Sequence, residues 1–83
     1  MMNTSLKPLT SSAVLRAATT LILAEGGTSS LIVKQFLLNQ GYQAYEAEVA
    51  RCLFLLALQE GWTIQDNGLF RVYYFPTPGT SPQ

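Results

Sequence analysis

The sequence contains no histidine, a single cysteine and few charged residues. Charged residues make up 12% of the 83-residue chain, about half of the usual quarter. Because Cys52 is the single cysteine, no disulfide can form within the chain. Zinc and related transition metals are normally held by imidazole or thiolate groups. We therefore expect neither a metal site nor a cofactor.

Long apolar runs are also missing. The longest unbroken apolar stretch extends from Cys52 to Leu58, whereas a membrane-spanning helix needs about 20 apolar residues. The first ten residues, MMNTSLKPLT, lack the apolar segment of a signal peptide. A lone thiol is compatible with a reducing compartment. We therefore expect a soluble, cytoplasmic protein that does not associate with membranes.

Basic and acidic residues are equal in number, with five of each. The resulting net charge of zero creates no overall field that attracts nucleic acid or an anionic membrane. A small domain this poor in charge must expose neutral polar and apolar groups, or bury some of them against a partner. The composition thus favours a homodimer or a complex with another protein.

The same residues argue against catalysis. General acid–base catalysis uses a histidine or a pair of carboxylates in a cleft. Glu46 and Glu48 are two positions apart on a predicted helix, so their side chains diverge. Cys52 falls on the predicted inner face of that helix, where a buried hydrophobic role outweighs a nucleophilic one. We expect the protein not to be an enzyme and to have no small-molecule substrate.

The chain is interpreted as one domain between two short tails. Residues 1–10 are polar and contain Pro8, and residues 76–83 contain three prolines, so both segments are expected to be disordered. Residues 11–75 carry the signals of three helices followed by a β-hairpin. This order predicts an α+β fold.

Capping serines or terminating glycines delimit the three predicted helices. The helices extend from Ser11 or Ser12 to about Glu25, from Ser29 or Ser30 to Gly41, and from about Ala44 to Glu60. Each helix has an apolar stripe with helical spacing that is expected to face the core. These stripes are Val14, Ala17, Ala18, Leu21 and Ile22; Val33, Phe36 and Leu37; and Tyr45, Val49, Cys52, Leu53 and Leu56.

The third helix is apolar on nearly all sides. Its outward stripe consists of Ala47, Arg51, Phe54, Leu55 and Leu58. A helix of this kind is normally buried all round, but three helices provide too few neighbours to cover its C-terminal half. Phe54, Leu55 and Leu58 are therefore predicted to form a protein interface, unless the first helix and the strands already cover them.

After Gly61 the apolar pattern changes from helical to alternating. Trp62–Gln65 leads into Asp66-Asn67-Gly68, a strong signal for a hairpin closed on Asn67-Gly68. Leu69–Phe75 is the predicted return strand. Alternation places Phe70, Val72 and Tyr74 on one side of that strand and Leu69, Arg71, Tyr73 and Phe75 on the other.

Residues 11–75 resemble the winged helix-turn-helix domains of small bacterial and phage regulators. The segment Leu31–Leu58 has the helix, glycine turn, helix arrangement, and Thr63–Phe75 matches the wing. In that family the second helix of the motif enters the major groove, and the wing touches the backbone or minor groove. The resemblance implies a three-helix winged helix with a C-terminal two-stranded wing. It also implies a transcription regulator that binds double-stranded DNA.

The resemblance assigns candidate DNA contacts residue by residue. The implied base-reading positions are Gln43, Tyr45, Glu46, Ala47 and Arg51. The implied backbone contacts are Ser29, Ser30, Lys34, Asn67 and Arg71.

The charges on this predicted DNA face are mixed, which leaves two hypotheses open. Lys34, Arg51 and Arg71 support a salt dependence with a slope of only about −2 to −3 per chain, while Asp66 stands at the wing tip. A symmetric dimer would double the number of phosphate contacts, which favours a dimeric DNA-binding regulator. The alternative is an adaptor or inhibitor that binds another protein through its apolar third helix and does not bind DNA.

Overall fold

The computed structural model of the protein describes residues 6–76. Its elements are α1 (Ser11–Glu25), α2 (Ser30–Asn39), α3 (Glu46–Glu60), β1 (Thr63–Asp66) and β2 (Arg71–Tyr74). Three helices followed by an antiparallel hairpin form an α+β arrangement with the layout of a winged helix. The predicted fold class is confirmed.

Hydrogen-bonding side chains set the starts of the first two helices. The N-cap of α1 is Thr10, rather than Ser11 or Ser12, because the Thr10 hydroxyl accepts a hydrogen bond from the Ala13 amide at 3.1 Å. Ser29 caps α2 in the same way. The sequence predicts Ser29 or Ser30 as the cap of α2, and the structure has Ser29.

The third helix begins at Glu46, two residues later than predicted. Tyr45 is its N-cap, has extended backbone geometry and makes no capping hydrogen bond. Its side chain is exposed, so the prediction that Tyr45 faces the core is wrong. The reason is that Tyr45 lies outside the helix, where helical spacing no longer fixes its direction.

The core lies between the three helices and is closed on one side by a residue of β2. Its buried apolar residues are Ala13, Val14, Ala17, Ala18, Ile22, Val33, Leu37, Ala44, Val49, Leu53, Leu56, Ala57 and Tyr73. Most of the predicted inner stripes belong to this set. Leu21, Phe36 and Cys52 are half-buried and pack at its margin.

The hairpin closes through Asn67-Gly68, as predicted, but its loop has four residues, 67–70, so the start predicted for the return strand at Leu69 is wrong. Cα register pairs Asp66 with Arg71 and Thr63 with Tyr74. The Asn67 side-chain oxygen accepts hydrogen bonds from the amides of Leu69 and Phe70, at 2.9 and 3.0 Å. These local bonds engage amides that would otherwise continue the strand ladder. The return strand therefore starts at Arg71.

Backbone hydrogen bonds fasten the hairpin to the helices. The Thr28 amide donates to the Tyr73 carbonyl at 3.0 Å, and the Tyr73 amide donates to the Thr28 carbonyl at 2.7 Å. The connection between α1 and α2 thus pairs with the edge of β2 that is not hydrogen-bonded to β1. Tyr73 is buried as a consequence, and the side of β2 that carries Arg71 and Tyr73 faces the helices.

Part of the predicted N-terminal tail is placed against the turn between α2 and α3. The Lys7 amide donates to the Gly41 carbonyl at 2.9 Å, and the Gln43 amide donates to the Lys7 carbonyl at 2.8 Å. Gly41 has a φ of +87°, which allows this reversal of the chain. Residues 1–5 of the predicted tail lie outside the described residues, as do residues 77–83 of the predicted C-terminal tail.

No helix within residues 6–76 combines the length and the hydrophobicity needed to cross a bilayer. The cytoplasmic location stays a prediction.

The buried hydroxyl of Thr28 generates a stability prediction. It has no hydrogen-bond partner among the described residues, and a buried polar group without a partner costs about 1–3 kcal/mol. Thr28→Val keeps the shape and removes the hydroxyl, so we expect the free energy of unfolding to rise by about 1 kcal/mol. Urea denaturation measures this change. Thr28→Ala is the control: it also removes the hydroxyl but loses the buried methyl group as well, so it should be less stable than Thr28→Val.

Candidate nucleic-acid interface

One cleft brings together the start of α2, the first two turns of α3 and the wing. Its volume is about 300 Å³, and its walls include Ser30, Glu46, Ala50, Asp66, Phe70 and Arg71. Three of the predicted DNA contacts, Ser30, Glu46 and Arg71, therefore lie in one site. Lys34 follows Ser30 by one helical turn and lies on the same side of α2.

Glu46 and Ala50 line this cleft on α3, and the outward stripe of α3 is linked to it through the contact between Phe54 and Arg71. Ala47, Arg51, Leu55 and Leu58 are all exposed along this stripe, as the sequence predicts. The Arg51 side chain is not part of any ion pair within residues 6–76, where the one salt bridge joins Arg71 to Asp66. Arg51 is thus the cation that α3 presents to solvent.

Arg71 of the wing packs against α3. The Nε atom of Arg71 lies 3.3 Å from the Oδ2 atom of Asp66, and the guanidinium carbon lies 4.7 Å from the centroid of the Phe54 ring. Cation–π and ionic contacts of this kind hold a guanidinium in place. Phe54, a predicted interface residue, is therefore half-buried beneath Arg71. Leu55 and Leu58 remain 56% and 60% exposed.

Several of the predicted DNA contacts already bond to their own chain. The Ser29 hydroxyl caps α2, and the Asn67 side-chain oxygen builds the wing loop. The Gln43 side-chain amide donates to the Tyr45 hydroxyl at 2.8 Å. Gln43 and Tyr45 are nevertheless exposed immediately before α3, so this pair forms part of the surface beside Ala47.

Lys7 is a candidate residue that the sequence analysis missed. Its backbone is hydrogen-bonded to Gln43, which places it next to the start of α3. Its Nζ atom lies 4.5 Å from the centroid of the Tyr42 ring. The signal in the sequence was Leu9, an apolar residue within the polar tail, which packs on the core and fixes the segment.

The wing tip differs most from the predicted arrangement. Leu69 and Phe70 were assigned to the return strand, but they lie in the loop and are 87% and 54% exposed. Asp66, at the base of this loop, accepts a hydrogen bond from the Gly68 amide at 2.8 Å. The tip thus combines a fixed backbone with two apolar side chains that face solvent.

No three histidine, cysteine, aspartate or glutamate side chains come together within residues 6–76. Whether the protein lacks a metal, a cofactor and a catalytic activity stays a prediction.

No family model, curated protein or solved structure matches this chain. Its function must therefore be inferred from the contacts, exposure and charges of its own residues.

The carboxyl group of Asp66 provides a pH prediction for the wing. The hydrogen bond from the Gly68 amide lowers its pKa below the ordinary aspartate value, and Arg71 lowers it further. A lowered pKa in the folded state stabilises the fold above the ordinary aspartate pKa, and this contribution is lost as the pH falls through the lowered value. An NMR titration of the Asp66 carboxyl carbon should show a midpoint below that of an aspartate in an unfolded peptide.

The matched variant for this titration is Arg71→Gln. It should raise the Asp66 midpoint only part of the way to the ordinary value, because the bond from the Gly68 amide remains. A complete return to that value would show that the loop hydrogen bond contributes nothing.

Proposed function

We propose that this chain is a cytoplasmic DNA-binding protein of the winged-helix type, which regulates transcription without catalysing a reaction. The supporting observation is the shared location of the first two turns of α3, the start of α2 and the wing around one cleft. In winged helices these are the elements that meet DNA.

The N-terminal half of the outward stripe of α3, with Ala47 and Arg51, is the proposed reading surface. An α-helix is about 10–12 Å wide and fits a major groove about 12 Å wide. Arg51 is exposed on this stripe, and arginine is the commonest reader of guanine because it donates two parallel hydrogen bonds. Ala47 lies one turn earlier and would allow close approach to the groove, with Gln43 and Tyr45 beside it.

Backbone contacts would come from the borders of this surface. Ser30 and Lys34 lie on α2, and Lys7 lies beside the start of α3. Each cation that neutralises a phosphate adds about −0.9 to the salt slope. Because Arg71 is already paired with Asp66, we propose that it orients the wing and contributes less to phosphate binding than Lys34 and Arg51.

The Arg51 assignment predicts the effect of reversing its charge. We expect Arg51→Glu to weaken binding to a labelled duplex at least tenfold at about 50 mM salt, because a phosphate or base contact becomes repulsive. Fluorescence anisotropy at about 50 and 200 mM salt measures both the affinity and the slope.

Arg16→Glu is the matched control, since it makes the same change in net charge. Arg16 lies on α1 in a separate cleft beside Phe36 and Tyr42. If the two variants bind equally well, the α3 stripe is not the DNA face.

A second candidate function is association through the apolar half of α3. Leu55 lines a groove of about 380 Å³ between the start of α1 and α3, with Leu15 and Cys52, and none of the charged residues within residues 6–76 lines it. Together with the exposed Leu58, this neutral surface can be buried without desolvating an ion. It suits a homodimer or a complex with another protein, and a homodimer would double the contacts to DNA.

The association surface predicts a change of molecular mass. We expect wild-type protein to have the mass of a dimer in light scattering, and Leu55→Asp to have the mass of a monomer. A buried carboxylate in an apolar interface is strongly unfavourable.

Leu31→Asp is the control, because Leu31 on α2 is also 56% exposed but lies outside the groove. A wild-type monomer, or an equal effect of both variants, would remove this surface as the dimer interface.

A further inference from the structure

The wing tip exposes two consecutive large apolar side chains, Leu69 and Phe70. Leu69 has the largest exposed fraction among the large apolar side chains within residues 6–76, at 87%, and Phe70 follows it in the same loop. Hairpin loops are normally made of glycine, asparagine, aspartate and serine. Leu69 buries very little of its side chain against the rest of the fold, and Phe70 buries about half.

The backbone beneath these two side chains is held in one geometry. The Asn67 side-chain oxygen accepts from both the Leu69 and the Phe70 amides, and the Asp66 carboxylate accepts from the Gly68 amide. Arg71 then ties Asp66 to the ring of Phe54 on α3. A loop that is already ordered loses less conformational entropy when it binds.

The tip is also close to electrically neutral. Its one carboxylate, Asp66, forms an ion pair with Arg71 at 3.3 Å. Repulsion between this carboxylate and a polyanion is therefore reduced. The other nearby carboxylate belongs to Glu46, which lines the inner wall of the cleft on α3.

The position of the tip relates it to the proposed DNA face. Leu69 and Phe70 border the same cleft as Ser30, Glu46 and Ala50, so the tip stands beside the first turns of α3. When α3 lies in a major groove, an element beside it reaches the neighbouring backbone and minor groove.

We propose that Leu69 and Phe70 form an apolar wedge that enters the minor groove, partly unstacks one base step and bends the duplex. This inference rests on the proposed DNA-binding function. Proteins that bend DNA commonly insert leucine, phenylalanine or similar side chains between base pairs. Pyrimidine–purine steps such as TA unstack most easily, so the wedge should prefer them.

The wedge also accounts for how a chain with so few cations would bind DNA. Phosphate neutralisation by Lys34, Arg51 and Lys7 gives a shallow salt dependence. Burial of Leu69 and Phe70 against base faces adds affinity that does not depend on salt. The expected signature is a small salt slope together with a bent duplex.

The test compares wild-type protein with the L69Q/F70Q double variant on end-labelled duplexes of about 30 base pairs that carry one central TA step. Energy transfer between the two ends reports bending, and 2-aminopurine at the step reports unstacking. We expect wild-type protein to raise both signals. The double variant should bind at least tenfold more weakly and raise neither signal, with an unchanged salt slope because no cation is lost.

The control is Leu23→Gln, because Leu23 is an exposed leucine that lines a different groove, beside Gly26 and Phe75. It should bind and bend DNA like wild-type protein. Circular dichroism checks that the double variant is folded, and Leu69→Ser provides a milder change at the most exposed of these side chains.

The outcomes separate the two proposals. Binding by wild-type protein without bending, or equal affinity and bending by the double variant, overturns the wedge and leaves the DNA-binding function in place. The tip would then be assigned to a pocket on a protein partner. No binding of any duplex at about 100 µM protein overturns the DNA-binding function and the wedge together.

Discussion

The burial of Tyr73 connects the two parts of this molecule. It is the residue of the hairpin that enters the core, and its two backbone hydrogen bonds to Thr28 hold β2 against the connection between α1 and α2. A two-stranded hairpin alone is marginally stable in water. Its position over α3, and with it the direction of the wing, therefore depends on this attachment.

The contact between the wing and α3 follows from the same attachment. Arg71 lies two residues before Tyr73 and on the same side of β2, so alternation brings it over Phe54. Its pairing with Asp66 then neutralises the base of the loop. The Arg71 side chain thus covers part of the apolar face of α3 and orients the wing. Because it is paired with Asp66, it is less available to bind a phosphate.

The candidate surface carries few charges and several exposed apolar side chains. Arg51 and Lys34 present isolated cations, while Leu55, Leu58 and the wing tip present apolar groups. Binding at such a surface draws little free energy from long-range electrostatic attraction. It must draw more from the burial of apolar groups in direct contact with a partner. The two proposed activities, insertion into DNA and self-association, both bury exposed apolar side chains in direct contact with a partner.

The sequence by itself determined the order of the elements and most of the core, because helical spacing, capping residues and alternation are local properties of the chain. The same local patterns misplaced Tyr45, since the helix starts after it, and Leu69, since the Asn67 side chain forms the loop.

Only the tertiary structure decided which side chains of different elements meet. It placed Lys7 beside Gln43 and Arg71 over Phe54. These outcomes depend on contacts between residues far apart in the chain, and no local pattern encodes them.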